Sequence, residues 1–180
     1  TLTGFISMVV LLVPFINPPT EKVDSSSPPG NVIVELFWDN ERDVDIDLWV
    51  KAPGDIPVGY SNQGGLFFNL LRDDLGKYKD NTPVNYEVSY SRGISEGIYV
   101  ANLHLYREDK IPFQPITAQL VISVINPDTK ARKQILKSEK LLKDVGAEIT
   151  IFQFALDKKG NLDKDSINNN FVKLRSGNKG

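Results

Sequence analysis

The chain of 180 residues contains no cysteine and a single histidine, His104. The first absence excludes disulfides, zinc ribbons, iron–sulfur clusters and thiol nucleophiles; the second excludes most other transition-metal sites and multi-histidine catalysis. Positive charge is not in excess either. Twenty-one Lys and Arg against 23 Asp and Glu give a formal charge of −2, so the field with which nucleic-acid binders neutralise phosphates is missing and nucleic acid is not an expected partner. Several enzyme signatures are lacking as well. Gly59-Tyr60-Ser61-Asn62-Gln63 fails the Gly-x-Ser-x-Gly elbow at its last position, and there is no phosphate-cradling Gly-x-x-x-x-Gly-Lys and no His-Glu-x-x-His. A non-enzymatic protein is expected. What is present is 41% hydrophobic and 24% charged, the composition of an ordinary globular chain able to bury a core.

No charged residue occurs from Thr1 to Thr20, and Leu2 to Ile16 is apolar nearly all round. As a helix those fifteen positions would measure roughly 22 Å, against roughly 30 Å for a bilayer's hydrocarbon core. A signal peptide would carry a basic start, yet the first Lys is Lys22. A buried core helix would show an amphipathic face. The pattern favours a hydrophobic helix over 1–16 that is a membrane anchor or packs among partner helices. Gly4 and Ser7 would permit close helix contact, with Phe5, Leu11 and Leu12 supplying apolar surface. Residues 17–30, with five prolines and glycines in fourteen positions around three serines, read as a linker in the extended polyproline regime.

Beyond Gly30 the apolar period becomes two, the spacing of half-buried strands. Val32, Val34, Leu36 and Trp38 share one strand face, and Val44, Ile46, Leu48 and Val50 another. Further strands are expected over 58–61, 66–70, 86–90, 98–107, 116–125, 134–142 and 149–156, with Gly or Pro in most gaps. The run 132–143 could be read as a helix, but that would put Ser138 and Glu139 on the apolar face, so it is assigned as strand. The expected fold is all-β: an antiparallel two-sheet sandwich over 31–156, immunoglobulin-like or jelly-roll, preceded by the N-terminal helix. Residues 157–180 read as a polar tail with one extra edge strand around Phe171 to Leu174.

The sharpest chemical pattern is Asp43-Val44-Asp45-Ile46-Asp47-Leu48-Trp49-Val50, which sets three carboxylates on one strand face. Like charges this close require compensation. Calcium would supply it, held by Asp45 and Asp47 with Asp73 or Asp74 from Arg72-Asp73-Asp74-Leu75-Gly76. Arg72 or Arg92 could bridge the carboxylates instead, or the face could be solvated. Trp49 shares that face and is a candidate ligand surface, its alternative being packing under a loop; Trp38 follows the buried register. His104 lies beside Asn102 and Tyr106 on one strand face and is read as a structural histidine. Asp73 and Asp74, being adjacent, point apart and do not suggest a paired-carboxylate hydrolase.

The series Asp45-Ile46-Asp47-Leu48-Trp49-Val50, Arg72-Asp73-Asp74-x-Gly76 and Gly97-x-Tyr99-x-x-Asn102-x-His104-x-Tyr106, after Ile16-Asn17-Pro18, resembles a bacterial and phage family of single-pass, membrane-anchored β-sandwich proteins. The resemblance spans roughly residues 16–156. It implies an anchor plus a sandwich and no catalytic residues. The layout of helix, Pro-rich linker and β domain is also similar to the B subunits of stator and biopolymer-transport complexes, although residues 1–20 lack the membrane carboxylate on which those subunits depend. The expectation is an accessory subunit of a membrane complex. Its β domain would lie outside the cytoplasm, periplasmic in a bacterium, and its partner would be the membrane or a multi-helix membrane protein, in an oligomer or hetero-complex. The alternatives are a virion or envelope structural protein and a calcium-dependent ligand-binding module.

Overall fold

The computed structural model describes residues 30–76, 83–109 and 111–175; the apolar segment 1–16 and all of the linker but Gly30 lie outside them. The described residues form nine strands and no helix: β1 (Val32–Trp38), β2 (Asp45–Lys51), β3 (Phe68–Arg72), β4 (Tyr86–Ser91), β5 (Gly97–Arg107), β6 (Ile116–Ile125), β7 (Arg132–Leu142), β8 (Glu148–Leu156) and β9 (Leu162–Asn168). They pair antiparallel throughout. One sheet has the order β3-β4-β1-β6-β7 and the other β2-β5-β8-β9, so the all-β two-sheet sandwich is as expected.

Period two produces the core directly. Val32, Val34, Leu36 and Trp38 from β1 meet Ile46, Leu48 and Val50 from β2, with Leu103 and Leu105 of β5 and Leu120 and Ile122 of β6 completing the layer. Trp38 is buried and satisfies its indole by donating to the Val44 carbonyl oxygen at 2.8 Å. At about 25 cal/mol per Å² of apolar surface removed from water, such side chains supply the main folding drive.

Three expectations differ from the fold. Residues 58–61 form no strand; Val58 makes only an isolated bridge to Val50, and the third strand runs over Phe68–Arg72. The late edge strand is Leu162–Asn168, whereas Phe171 to Arg175 has no strand pairing. Nor is the whole of 157–175 a tail: Leu174 is buried against Trp49 and Val100. The β9 sequence Leu-Asp-Lys-Asp-Ser-Ile-Asn is mostly polar because an edge strand with one wet face has little apolar period to show.

Between β2 and β3 the chain folds back over the outer face of β2 and is fastened there by Asp55. That carboxylate accepts the N–H groups of Ile56, Leu66 and Phe67 at 2.7, 3.0 and 2.8 Å, and these bonds pull its pKa below the usual carboxylate value despite the opposing effect of burial. Gly59 then rests on the Trp49 indole, where a Cβ would come within 2.4 Å of the ring. This loop forms one wall of the acidic pocket.

Candidate cation site

On β2 the even-numbered residues point into the sandwich, and Asp45, Asp47 and Trp49 therefore face outward. Outward here is not exposed. Asp45 and Asp47 are only 3% and 4% accessible, which rules out the solvated-face reading, because the 53–76 segment and the neighbouring strand cover them. Trp49 is likewise 1% accessible. It lies under Gly59, edge-on to Tyr60 with ring centroids 5.7 Å apart, and beside Leu174, so it is no ligand surface. The aromatic rings at the pocket are Tyr60 and Tyr106, 6.3 Å apart.

A hollow of about 170 Å³ is lined by Asp45, Asp47, Asp73, Tyr60, Leu75 and Tyr106. Three carboxylates thus converge from two segments distant in sequence. A fourth adjoins them: Glu87 of β4, fully buried, forms with Asp47 and Asp73 the group whose carboxylate oxygens lie within 4.8 Å of one another, Asp45 lining the hollow outside that group. Glu87 reaches across from the other sheet to the outer edge of β2, where Val50 bridges Val58 but the Leu48 N–H has no backbone acceptor from a neighbouring strand. Its Oε2 accepts the Leu48 N–H at 2.7 Å and its Oε1 the Asp74 N–H at 3.1 Å.

Asp74 does not join the cluster. Its Oδ2 accepts from Arg72 at 2.8 Å and from the Tyr86 N–H at 2.9 Å, and its Oδ1 from the Gly76 N–H at 3.0 Å, so it fastens the turn rather than facing a cation. Arg72 engages Asp74, and Arg92 donates to the Gly65 carbonyl oxygen. The guanidinium near Asp45 is that of Arg107, which donates to Asp43 at 3.1 Å and to the Leu75 carbonyl oxygen at 2.7 Å.

Burial of these groups alters their protonation. Asp45 is pushed up to about 7, first by desolvation and then by the Asp47 charge, with Arg107 opposing. Glu87 is driven well above the usual carboxylate range by desolvation, against the pull of its backbone donors, with the Asp47 and Asp73 charges adding to the rise. Asp73 is raised chiefly by desolvation, although a hydrogen bond with Glu87 pulls the other way. One oxygen each of Asp45 and Asp73, the Oδ1 atoms, is buried without a hydrogen-bond partner. Such acceptors destabilise the fold unless a proton or cation meets them.

Asp47 is held from behind. Its Oδ2 lies 2.6 Å from Nδ1 of His104, whose Nε2 lies 2.7 Å from a guanidinium nitrogen of Arg175. Arginine can only donate, so Nε2 accepts and Nδ1 carries the hydrogen given to Asp47. The structural reading of His104 is therefore specific: it aims Asp47, as histidine–carboxylate pairs around metal sites do. The strap 172–175 that brings Arg175 is tied down by Glu148, whose Oε1 accepts the Leu174 and Arg175 N–H groups at 2.8 and 3.1 Å, and by Asn102, which donates to the Val172 carbonyl oxygen at 2.7 Å.

Of the sequence-predicted residues, Asp45, Asp47 and Asp73 line one hollow and Asp74 fastens the neighbouring turn, while Glu87 and Arg175 carried no signal in the sequence. Gly93-Ile94-Ser95-Glu96-Gly97 also fits the Gly-x-Ser-x-Gly spacing, but it is the turn between β4 and β5, no helix follows it, and Ser95 Oγ donates to the Pro53 carbonyl oxygen. No family model, curated protein or solved structure matches the chain.

Proposed function

We propose that the sandwich is a non-enzymatic binding module whose acidic pocket takes one divalent cation held by Asp45, Asp47 and Asp73, with Glu87 adjoining Asp47 and Asp73. The observation that carries this reading is the buried, unpartnered Oδ1 of Asp45 in a hollow already lined by two further carboxylates. The donors are all hard carboxylate oxygens, since the histidine nitrogen nearest the site is engaged by Asp47; that set suits calcium, with water completing its six to eight ligands. Tyr60 and Tyr106 wall the opening and offer flat apolar surface for a further ligand.

The apolar run over 1–16 and the Pro-rich 17–30 support a second element of the proposal. The module is carried as an accessory subunit, tethered by that segment to a membrane or to a multi-helix membrane partner, outside the cytoplasm.

Thermal unfolding tests the cation site. Calcium at a hundredfold excess over its dissociation constant stabilises the native state by about 2.7 kcal/mol, which for a chain of this size is an upward shift of roughly 5 to 10 °C. Asp45→Asn and Asp47→Asn should each remove most of the shift. An unchanged melting curve over millimolar calcium at pH 7.5 would refute the assignment.

A further inference from the structure

The sandwich opens between its two edge strands β7 and β9 into a cleft of about 610 Å³, within the roughly 300–1,000 Å³ range of small-molecule sites. Its apolar lining comes from Val124, Ile135 and Leu162, and Lys133, Lys159 and Lys164 also line it. No carboxylate is among the residues that line it. Two lysines outside it lie near acids, Lys137 at 3.9 Å from Glu139 and Lys158 at 3.8 Å from Glu96.

Local geometry delivers each lysine. The β6–β7 register slips between Ile122 and Ser123, so that Leu136 faces Ile122 but Lys133 faces Val124. Without that bulge Gln134 would sit opposite Val124; the slip turns Lys133 onto the face of a core valine. Lys159 sits in a turn pinned by Asp157, which accepts the N–H groups of Lys159 and Asn161 and the Asn161 side-chain amide, each at 2.8 Å. Gly160, at φ +83°, presses that turn onto the cleft floor, where a Cβ would come within 2.7 Å of Val124. Lys164 follows two residues after Leu162, which itself pairs with the core residue Leu156. The facing turn is pinned too, Asn126 Oδ1 accepting the Asp128 and Thr129 N–H groups at 2.9 Å. The cleft is thus set before any ligand arrives.

A single inward lysine is a known guard against edge-to-edge pairing. That role does not call for three lysines from three segments around an apolar floor. We propose that the cleft binds a small amphiphilic anion, its carboxylate or phosphate head held by the lysines and its apolar body resting on Val124, Ile135 and Leu162. The site shares no residue with the acidic pocket and stands or falls separately from it.

Methyl NMR of the full chain, labelled at Val, Ile and Leu, reads this site directly. Octanoate or octyl phosphate below its micellar concentration should shift the Val124, Ile135 and Leu162 methyls saturably, and comparison of the two identifies the preferred head. The Lys133→Gln/Lys164→Gln variant, whose own methyl spectrum reports its folding, should bind at least tenfold more weakly, since it loses two charge-assisted bonds to the head. Equal shifts with octyltrimethylammonium, undiminished binding by the variant, or equal affinity for inorganic phosphate would each overturn the proposal.

Discussion

Without added cation, the protein should be more stable at pH 5 than at pH 7.5, the reverse of an acid-sensitive fold held by ionised carboxylates. Asp45, Asp73 and Glu87 all have folded-state pKa values raised above their ordinary ones, Asp45 to about 7. Between about pH 4 and 7 Asp45 holds a proton in the native state that the unfolded chain has released, so folding takes up protons and stability falls as pH rises through that window, with Asp73 and Glu87 acting in the same direction. Each tenfold gain in proton affinity on folding corresponds to about 1.36 kcal/mol, and with allowance for solvent screening of a pocket that opens to water the Asp45 contribution is about 2 kcal/mol. Asp55, whose pKa is lowered, contributes with the opposite sign, but its loss falls at lower pH because it remains ionised down to its depressed folded-state value. Urea unfolding in chelator at the two pH values measures the difference. A stability that is flat or rises from pH 5 to 7.5 would mean that the carboxylates are not protonated as their burial requires.

Glu87→Leu should be the most damaging substitution at the site, costing about 3 kcal/mol. The change leaves the N–H groups of Leu48 and Asp74 buried and without acceptors, each worth about 1–3 kcal/mol when orphaned, partly offset by removing a buried acid. Glu87→Gln keeps one acceptor and should lose about half as much. Denaturant midpoints at constant m-value order the two variants. Equal stability of Glu87→Leu and the unsubstituted chain would show that β2 does not depend on the cross-sheet carboxylate.

Why Glu87 escaped the sequence is instructive. Its strand reads Tyr-Glu-Val-Ser-Tyr-Ser, and an apolar-inward reading of the alternation puts Tyr86, Val88 and Tyr90 inside. The register with β1 does the opposite. Glu87 pairs with Leu36, and Ser89 with Val34, so the polar face of β4 joins the face that carries the core, and Glu87 and Ser89 are 1% and 0% accessible. The reason is tertiary: the Leu48 N–H at the edge of β2 needs an acceptor, and Glu87 from the other sheet supplies it. Along β1, β2, β5 and β6, by contrast, packing drives the strand and the apolar period states it plainly. The paired aspartates of β2 were readable for the same reason, since period two places them together whatever covers them.

What covers them was not readable. The loop held by Asp55 and the strap ending in Arg175 have no period; they are fixed by side-chain-to-backbone bonds between residues far apart in sequence, such as those of Glu148 with Leu174 and Arg175. That cover turned a solvated-looking face into a buried pocket and Trp49 into a core residue. It also redirected the arginines, leaving Arg72 on the Asp74 turn and Arg107, which local spacing does not connect to Asp45, as the nearby cation.

Calorimetry of calcium binding at pH 6.5 in two buffers of different ionisation enthalpy tests burial, protonation and cation binding at once. A cation entering among Asp45, Asp47 and Asp73 must displace the proton that burial retains on Asp45. One calcium should bind per chain with net release of about one proton, and both signals should be lost in Asp45→Asn. Binding without proton release, or no binding, would contradict the proposed site.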